Sequence, residues 1–292
     1  MTRGRQATTA VPDGTTLKED RSMLPQAQDF QAEADALHDL LMTLSDADWE
    51  RETQFKRWTV NDVIQHLHSG DLMAAASVES PEAFARLRAE VQALRDRGMT
   101  RIEETRHRMG DLVGHRLRAR WREQVRALAD RLGALPTATR LKWAGPDMSL
   151  RMFTTARQME TWAHGQAIYD LMGVCRSATD RLRQIAEIGV RTYGWTFANR
   201  QQQPPGPAPH VRLTGPDGSI WSWNDPTDDN LVEGDALAFC QVVTQTRNVA
   251  DTALRVTGVP ARTWMSLAQC FAGPPETPPP PGTRFAARPG MC

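Results

Sequence analysis

Apolar residues recur at helical spacing through the first 170 positions. From Leu24 to Leu44, residues Phe30, Ala34, Leu37, Leu41 and Leu44 fall on one side of a 3.6-residue repeat and predict a helix. After a loop over residues 45–58, Thr59-x-x-Asp62 has the pattern of a capping box, and Val60, Val63, Ile64, Leu67 and Met73 or Ala74 mark the buried side of a second helix. Pro81 opens a long arginine-rich stretch, helical by pattern to about Leu135. A connector with Trp143, Gly145 and Pro146 follows. Asp147 or Ser149 can then cap a helix that Gly173 ends. Four main helices are complete by residue 172, which predicts a bundle able to build a site from facing helices.

The texture changes after Cys175. Residues 179–198 read as helix and residues 201–209 as a polar, proline-rich loop. His210–Leu213 and Ser219–Trp223 alternate around Pro216-Asp217-Gly218 as a hairpin. Residues 230–233 suggest another strand, Gly234-Asp235-Ala236 a helix start with Arg247 near its end, and residues 263–271 a last helix. The four consecutive prolines Pro278–Pro281 mark a tail expected to be disordered. The expected division is a polar disordered segment (1–22), a helical bundle (23–174), a small α/β domain (175–272) and a proline-rich tail (273–292), an α+β chain.

The candidate chemistry lies in Arg157–Asp170. Glu160 and His164, four apart, share a helix face with Phe153, Arg157, Ile168 and Leu171, and Ala156, Ala163 and Ala167 leave room beside them. A carboxylate and an imidazole turned into a core are costly unless paired or metal-bound. The placement suits a metal site with at least one more ligand from elsewhere. His66 and His68 on the second helix flank its apolar stripe on opposite sides, so at most one can join, and periodicity leaves the choice open. His38 reads as a partly exposed structural histidine, and His107 and His115 as surface residues.

Charge and cysteine content narrow the class. The 35 basic and 35 acidic residues balance, so no global field draws the chain to nucleic acid or an anionic membrane. No secretory signal and no run of about 18 apolar residues is present. The cysteines (Cys175, Cys240, Cys270 and Cys292) show neither C-x-x-C spacing nor scaffold density. The expectation is a cytoplasmic protein with free thiols that are poor nucleophiles. Between Arg86 and Arg131 stand thirteen arginines against seven acids. They read as a solvated, ion-paired face or, more sharply, as a basic rim for an anionic substrate.

Trp58-Thr-Val-Asn-Asp-Val-Ile-Gln-His66-Leu resembles the W-T-V-x-D-V-x-x-H-L signature of the DinB-like superfamily. Met159-Glu-Thr-Trp-Ala-His164-Gly resembles the second metal motif of its mycothiol-dependent maleylpyruvate isomerase branch. The resemblance covers roughly residues 24–272 and is closest to a metal-binding actinobacterial-type subgroup. It implies a DinB-like four-helix bundle followed by a sterol-carrier-like α/β domain, with His66, Glu160 and His164 as metal ligands. Two imidazoles and one carboxylate would leave one position of a zinc ion open, the pattern of a catalytic site.

The resemblance further implies an enzyme in which zinc binds a low-molecular-weight thiol, mycothiol or glutathione, as thiolate. That thiolate would isomerise, or be transferred to, a small electrophilic substrate bearing a carboxylate. Arg247 is the candidate for binding that carboxylate, and Arg157, one turn before Glu160, for orienting the Glu160 side chain or forming a structural salt bridge. A zinc hydrolase would need a general base, for which Asp71 is conceivable. A non-catalytic metal-dependent binding protein could line an apolar cavity with Trp195, Trp221, Trp223 and Trp264, although core packing is the plainer role for them.

Overall fold

The computed structural model describes residues 24–284. The expected disordered segment 1–22 lies outside them. Helices α1 (Pro25–Met42), α2 (Val60–Glu79), α3 (Pro81–Asp96), α4 (Arg101–Met109) and α5 (Gly114–Ala134) are followed by a two-residue hairpin, β1 (Arg140–Leu141) and β2 (Met148–Ser149), and then α6 (Leu150–Met172). Helices α1, α2, α5 and α6 form the four-helix bundle: α1 packs on α5 and α6, and α2 packs on the same two. The arginine-rich stretch is not one helix but α3, α4 and α5. It is broken beside Gly98 (φ 88°) and Gly110 (φ 57°), where a left-handed backbone favours glycine. Helices α3 and α4 lie on the outer side of α2.

The helix starts follow their local chemistry. Pro25 stands in the first turn of α1, Ser149 accepts from the Met152 amide at the head of α6, and Gly173 ends α6 in the αL conformation. At α2 the capping box is complete: Asp62 N donates to Thr59 Oγ1 at 3.1 Å and Thr59 N to Asp62 Oδ2 at 2.9 Å. Arg106 of α4 grips the same Asp62 carboxylate with two bonds of 2.7 Å. The start of α2 is thereby fixed from two directions. His38 is buried rather than partly exposed, because the stripe it borders packs fully into the bundle core.

Beyond the bundle come α7 (Leu182–Arg191), α8 (Tyr193–Ala198), β3 (His210–Thr214), β4 (Ile220–Trp223), β5 (Leu231–Asp235), α9 (Ala236–Val243), β6 (Arg255–Thr257) and α10 (Val259–Met265). The sheet order is β4-β3-β5-β6, with β3 antiparallel to β4 and parallel to β5, and β5 antiparallel to β6. The expected hairpin is β3–β4. Strand β6 carries no alternation long enough to announce it. Trp221 and Trp264 are buried in the core of this region, and Trp223 packs against it.

Helix α6 belongs to both halves. Its Phe153, Ile168 and Tyr169 enter the bundle core, while Met159 and Trp162 enter the C-terminal core. Glu160 and His164 lie along the seam between the two. The proline-rich stretch corrects the expectation of a disordered tail as far as residue 284. Its carbonyls and amides have partners: Asn248 Nδ2 donates to Pro279 O at 2.8 Å, and the Gly282 amide donates to Asp251 Oδ1 at 2.8 Å. Residues 285–292 lie outside the described residues. The thiols of Cys240 and Cys270 are free and buried, whereas the exposed Cys175 is disulfide-bonded, contrary to the expectation of free thiols.

Candidate metal centre

His66 lies in the second turn of α2, after the Thr59–Asp62 cap, and Glu160 and His164 lie one helical turn apart on α6. The i, i+4 spacing turns the last two the same way, and the packing of α2 on α6 brings the first to meet them. Glu160 Oε2 is 3.2 Å from His164 Nε2 and 3.6 Å from His66 Nε2. Donor atoms of all three residues lie within 4.8 Å of one another. Their side chains retain 15–21% exposure, all on the cleft side.

Electrostatics give His66 and Glu160 their ligating forms. Burial, and then the charge of neighbouring His164, pushes His66 down to about 4, so it is neutral at pH 7 with a lone pair to offer. Burial alone would raise Glu160, but hydrogen bonding and charge from His164 and His66 hold its carboxyl well below the usual range. An ionised carboxylate between two imidazoles is a donor set that fits zinc. His68, the other candidate on α2, is buried away from the cleft, where burial and the charges of Arg120 and Arg108 push it to about 4.

A tight loop roofs the triad. The Glu52–Thr59 bridge closes residues 52–59, and the Thr53 amide donates to Trp58 O at 2.8 Å. Lys56 and Arg57 turn the chain with φ of 52° and 57°, a left-handed conformation costly for such residues. The loop delivers two rings. Trp58 stacks on His164 (centroids 6.0 Å, planes 9° apart) and tilts over His66 at 5.3 Å, and Phe55 meets His164 edge-on at 5.0 Å. Trp58 was legible only as a letter of the motif. Phe55 carried no signal, because its place depends on the turn at Lys56 and Arg57.

The triad opens into a cleft of about 460 Å³, within the size range of small-molecule sites. The bundle supplies one wall. The other comes from Thr244–Thr246, Phe271–Pro274, Glu276 and Arg284. These residues sit in the C-terminal turns and in the stretch expected to be disordered, so sequence reading passed over them. Cys270 is buried beside this wall with its thiol raised by burial first and by the Glu160 charge second. Cys240 is raised for the same first reason, which leaves both poor nucleophiles.

Two expected participants are engaged elsewhere. Arg157 Nε donates to Asp71 Oδ1 at 3.0 Å, and Trp121 Nε1 donates to the other Asp71 oxygen at 3.1 Å. Arg157 is therefore a buried salt-bridge residue under the site. Gly70 permits this, since a Cβ there would lie 2.8 Å from Arg157 Nη2. Asp71 is fully buried, so it is not placed as a base facing the cleft. Arg247 does not line the cleft: its guanidinium is bonded at 2.7 and 2.8 Å to Asp170, which does.

Comparison with known proteins places the fold. The family model of the mycothiol maleylpyruvate isomerase N-terminal domain matches residues 30–169. Uncharacterised proteins from two strains of Mycobacterium tuberculosis, CDC 1551 and H37Rv, are 36% identical over 251 residues, spanning 86% of this chain and 96% of theirs. Crystal structures of the mycothiol-dependent maleylpyruvate isomerase and of a histidine-to-alanine mutant of it match with a TM-score of 0.50. They are 14% and 15% identical and cover 81% of this chain and 94% of theirs, a likeness of fold.

Proposed function

The chain belongs to the mycothiol maleylpyruvate isomerase-like branch of the DinB-like superfamily, and from that membership we propose that it is a zinc-dependent enzyme using a low-molecular-weight thiol such as mycothiol. Its reaction is isomerisation of, or thiol transfer to, a small electrophile bearing a carboxylate. The observation that carries the reading is the convergence of His66, Glu160 and His164 at the floor of one open cleft.

The three side chains would hold the ion. When bound, zinc supplies the Lewis acidity that turns a thiol into thiolate at neutral pH. Trp58 and Phe55 shield the imidazoles from bulk water on one side and hold their rings in place. The cleft between the bundle and the C-terminal wall, about 460 Å³, has the size of a small-molecule site. The hydrolase alternative is weakened by Asp71, whose carboxylate is committed to Arg157 and Trp121. The binding-protein alternative loses two of its four proposed lining residues, since Trp221 and Trp264 pack in the core.

The test is metal content by elemental analysis on wild type and His164→Ala, followed by calorimetric titration with mycothiol and glutathione. The reading predicts about one zinc per chain, lost in the variant, and a thiol bound only by the zinc-loaded protein. Zinc without thiol affinity would favour the hydrolase or the binding protein. No metal after reconstitution would leave a paired carboxylate and imidazoles with no metalloenzyme.

A further inference from the structure

Four cationic side chains stand in or behind the wall of the cleft, and two of them are already neutralised. Lys56 Nζ is 2.8 Å from Glu276 Oε1, and Arg247 is held by Asp170. The other two are Arg101 and Arg284. Among the described residues neither has a carboxylate within salt-bridge distance. Arg284 makes one neutral bond, Nη1 to the Gln245 carbonyl at 2.7 Å, and its guanidinium lies over the Phe55 ring at 5.1 Å. The Asp170 and Glu276 charges act on it only from beyond ion-pair distance, and a half-buried guanidinium with spare donors can still take an anion.

We propose that Arg284 and Arg101 bind the carboxylate of the small-molecule substrate in this cleft, in the role the sequence suggested for Arg247. The proposal rests on the reading of the cleft as an active site. Position supports it first. Phe55 stands between Arg284 and His164, its ring 5.1 Å from the guanidinium and 5.0 Å from the imidazole. Arg101 stands at the first position of α4, where the Thr100–Glu103 capping box fixes the helix start. Its charge is felt at His66, and its Nη2 lies 3.5 Å from where a Cβ on Gly273 would stand.

Preorganisation supports it second. Arg284 follows the four prolines Pro278–Pro281 and a turn at Gly282, and this stretch is tied to Asn248 and Asp251. Gln245 adopts a left-handed φ of 58° while it is buried, bonds Ala268 O and Glu276 O with its side chain, and turns its carbonyl to Arg284. Strain accepted at a buried residue to aim one carbonyl at one guanidinium is typical of a binding site. Of the thirteen arginines of the arginine-rich stretch, Arg101 alone lines the cleft.

The experiment titrates succinate, with neutral succinamide as control, into the full chain by calorimetry, both zinc-loaded and metal-free. The expected result is binding of succinate but not succinamide. Arg284→Met and Arg101→Met should each weaken succinate about 10-fold, with Arg284→Lys retaining part of the affinity and zinc content unchanged in all three. His164→Ala separates this proposal from the metal reading: arginine-dependent succinate binding that survives in the zinc-free variant supports the clamp even if the metal reading fails. The proposal is overturned if wild type ignores succinate at millimolar concentration. It is equally overturned if both methionine variants bind like wild type, or if Arg247→Met alone removes binding.

Discussion

Asp170 and Arg247 face each other through two parallel hydrogen bonds, Nη1 to Oδ2 at 2.8 Å and Nη2 to Oδ1 at 2.7 Å. One partner stands in the last turn of α6, the other just beyond α9, so the pair fastens the bundle to the C-terminal region at the back of the cleft. Bidentate geometry and burial make it a strong joint. Asp170→Ala leaves a buried guanidinium without its counter-charge and is expected to cost about 3–5 kcal/mol in denaturant unfolding. A variant as stable as wild type would mean the joint contributes nothing.

Glu160→Gln keeps the shape of the central ligand and removes its charge. Altering groups that merely support metal ligands typically costs 10–100-fold in affinity, so removing this ligand should weaken zinc by more than about 100-fold. Competition with a chelator of known affinity measures it. Retention of wild-type affinity would exclude Glu160 from the coordination.

Asp71→Asn addresses the role of the buried carboxylate. Burial raises the Asp71 carboxyl, opposed by Arg157, its charged partner. With the pair broken, a loss of about 3–5 kcal/mol is expected while zinc content stays at the wild-type level. Unchanged stability together with lost turnover would instead point to a direct part in the chemistry.

Asp62→Asn tests the anchor of α2. Burial alone would raise the Asp62 carboxyl, but Arg106 and the Thr59 bonds bring it below its ordinary value. A carboxyl lowered in the folded state contributes stability above the unfolded pKa of about 3.9, and that contribution fades as pH falls through the lower folded value. The variant should therefore be about 2 kcal/mol less stable near neutrality, with the gap closing on acidification below about pH 4. A gap independent of pH down to the acid limit would show that charge is not the cause.

Much of the site was legible because its chemistry is local. The cap at Thr59, the stripe through Val60, Val63, Ile64 and Leu67, and the four-residue step from Glu160 to His164 are read along one helix each, and a helix repeats its faces on a fixed period. The same regularity predicted the bundle and the hairpin β3–β4. It could not choose between His66 and His68, which flank one stripe. The family motif chose His66, and the packing of α2 against α6 accounts for it.

Whatever joined distant segments was decided by the tertiary structure. Arg157 has two neighbours of opposite promise, Glu160 on its own helix and Asp71 across the bundle. Only the close approach at Gly70 determines that it bonds Asp71. Arg247 had the right type and place for a substrate carboxylate until Asp170 occupied it. The proline-rich stretch lacks the apolar period that marks a helix or strand, so composition alone suggested disorder. Its order comes from side chains of Asn248, Asp251 and Gln245 that bond its backbone. By itself the sequence determined the bundle helices α1, α2 and α6, their caps and the shared face of Glu160 and His164, because periodicity and capping depend on neighbours along the chain. The third metal-site residue, His66, came from the family resemblance. Contact across the chain decided which arginines face the cleft and which wall closes it, since a charge takes whichever partner the fold brings within reach.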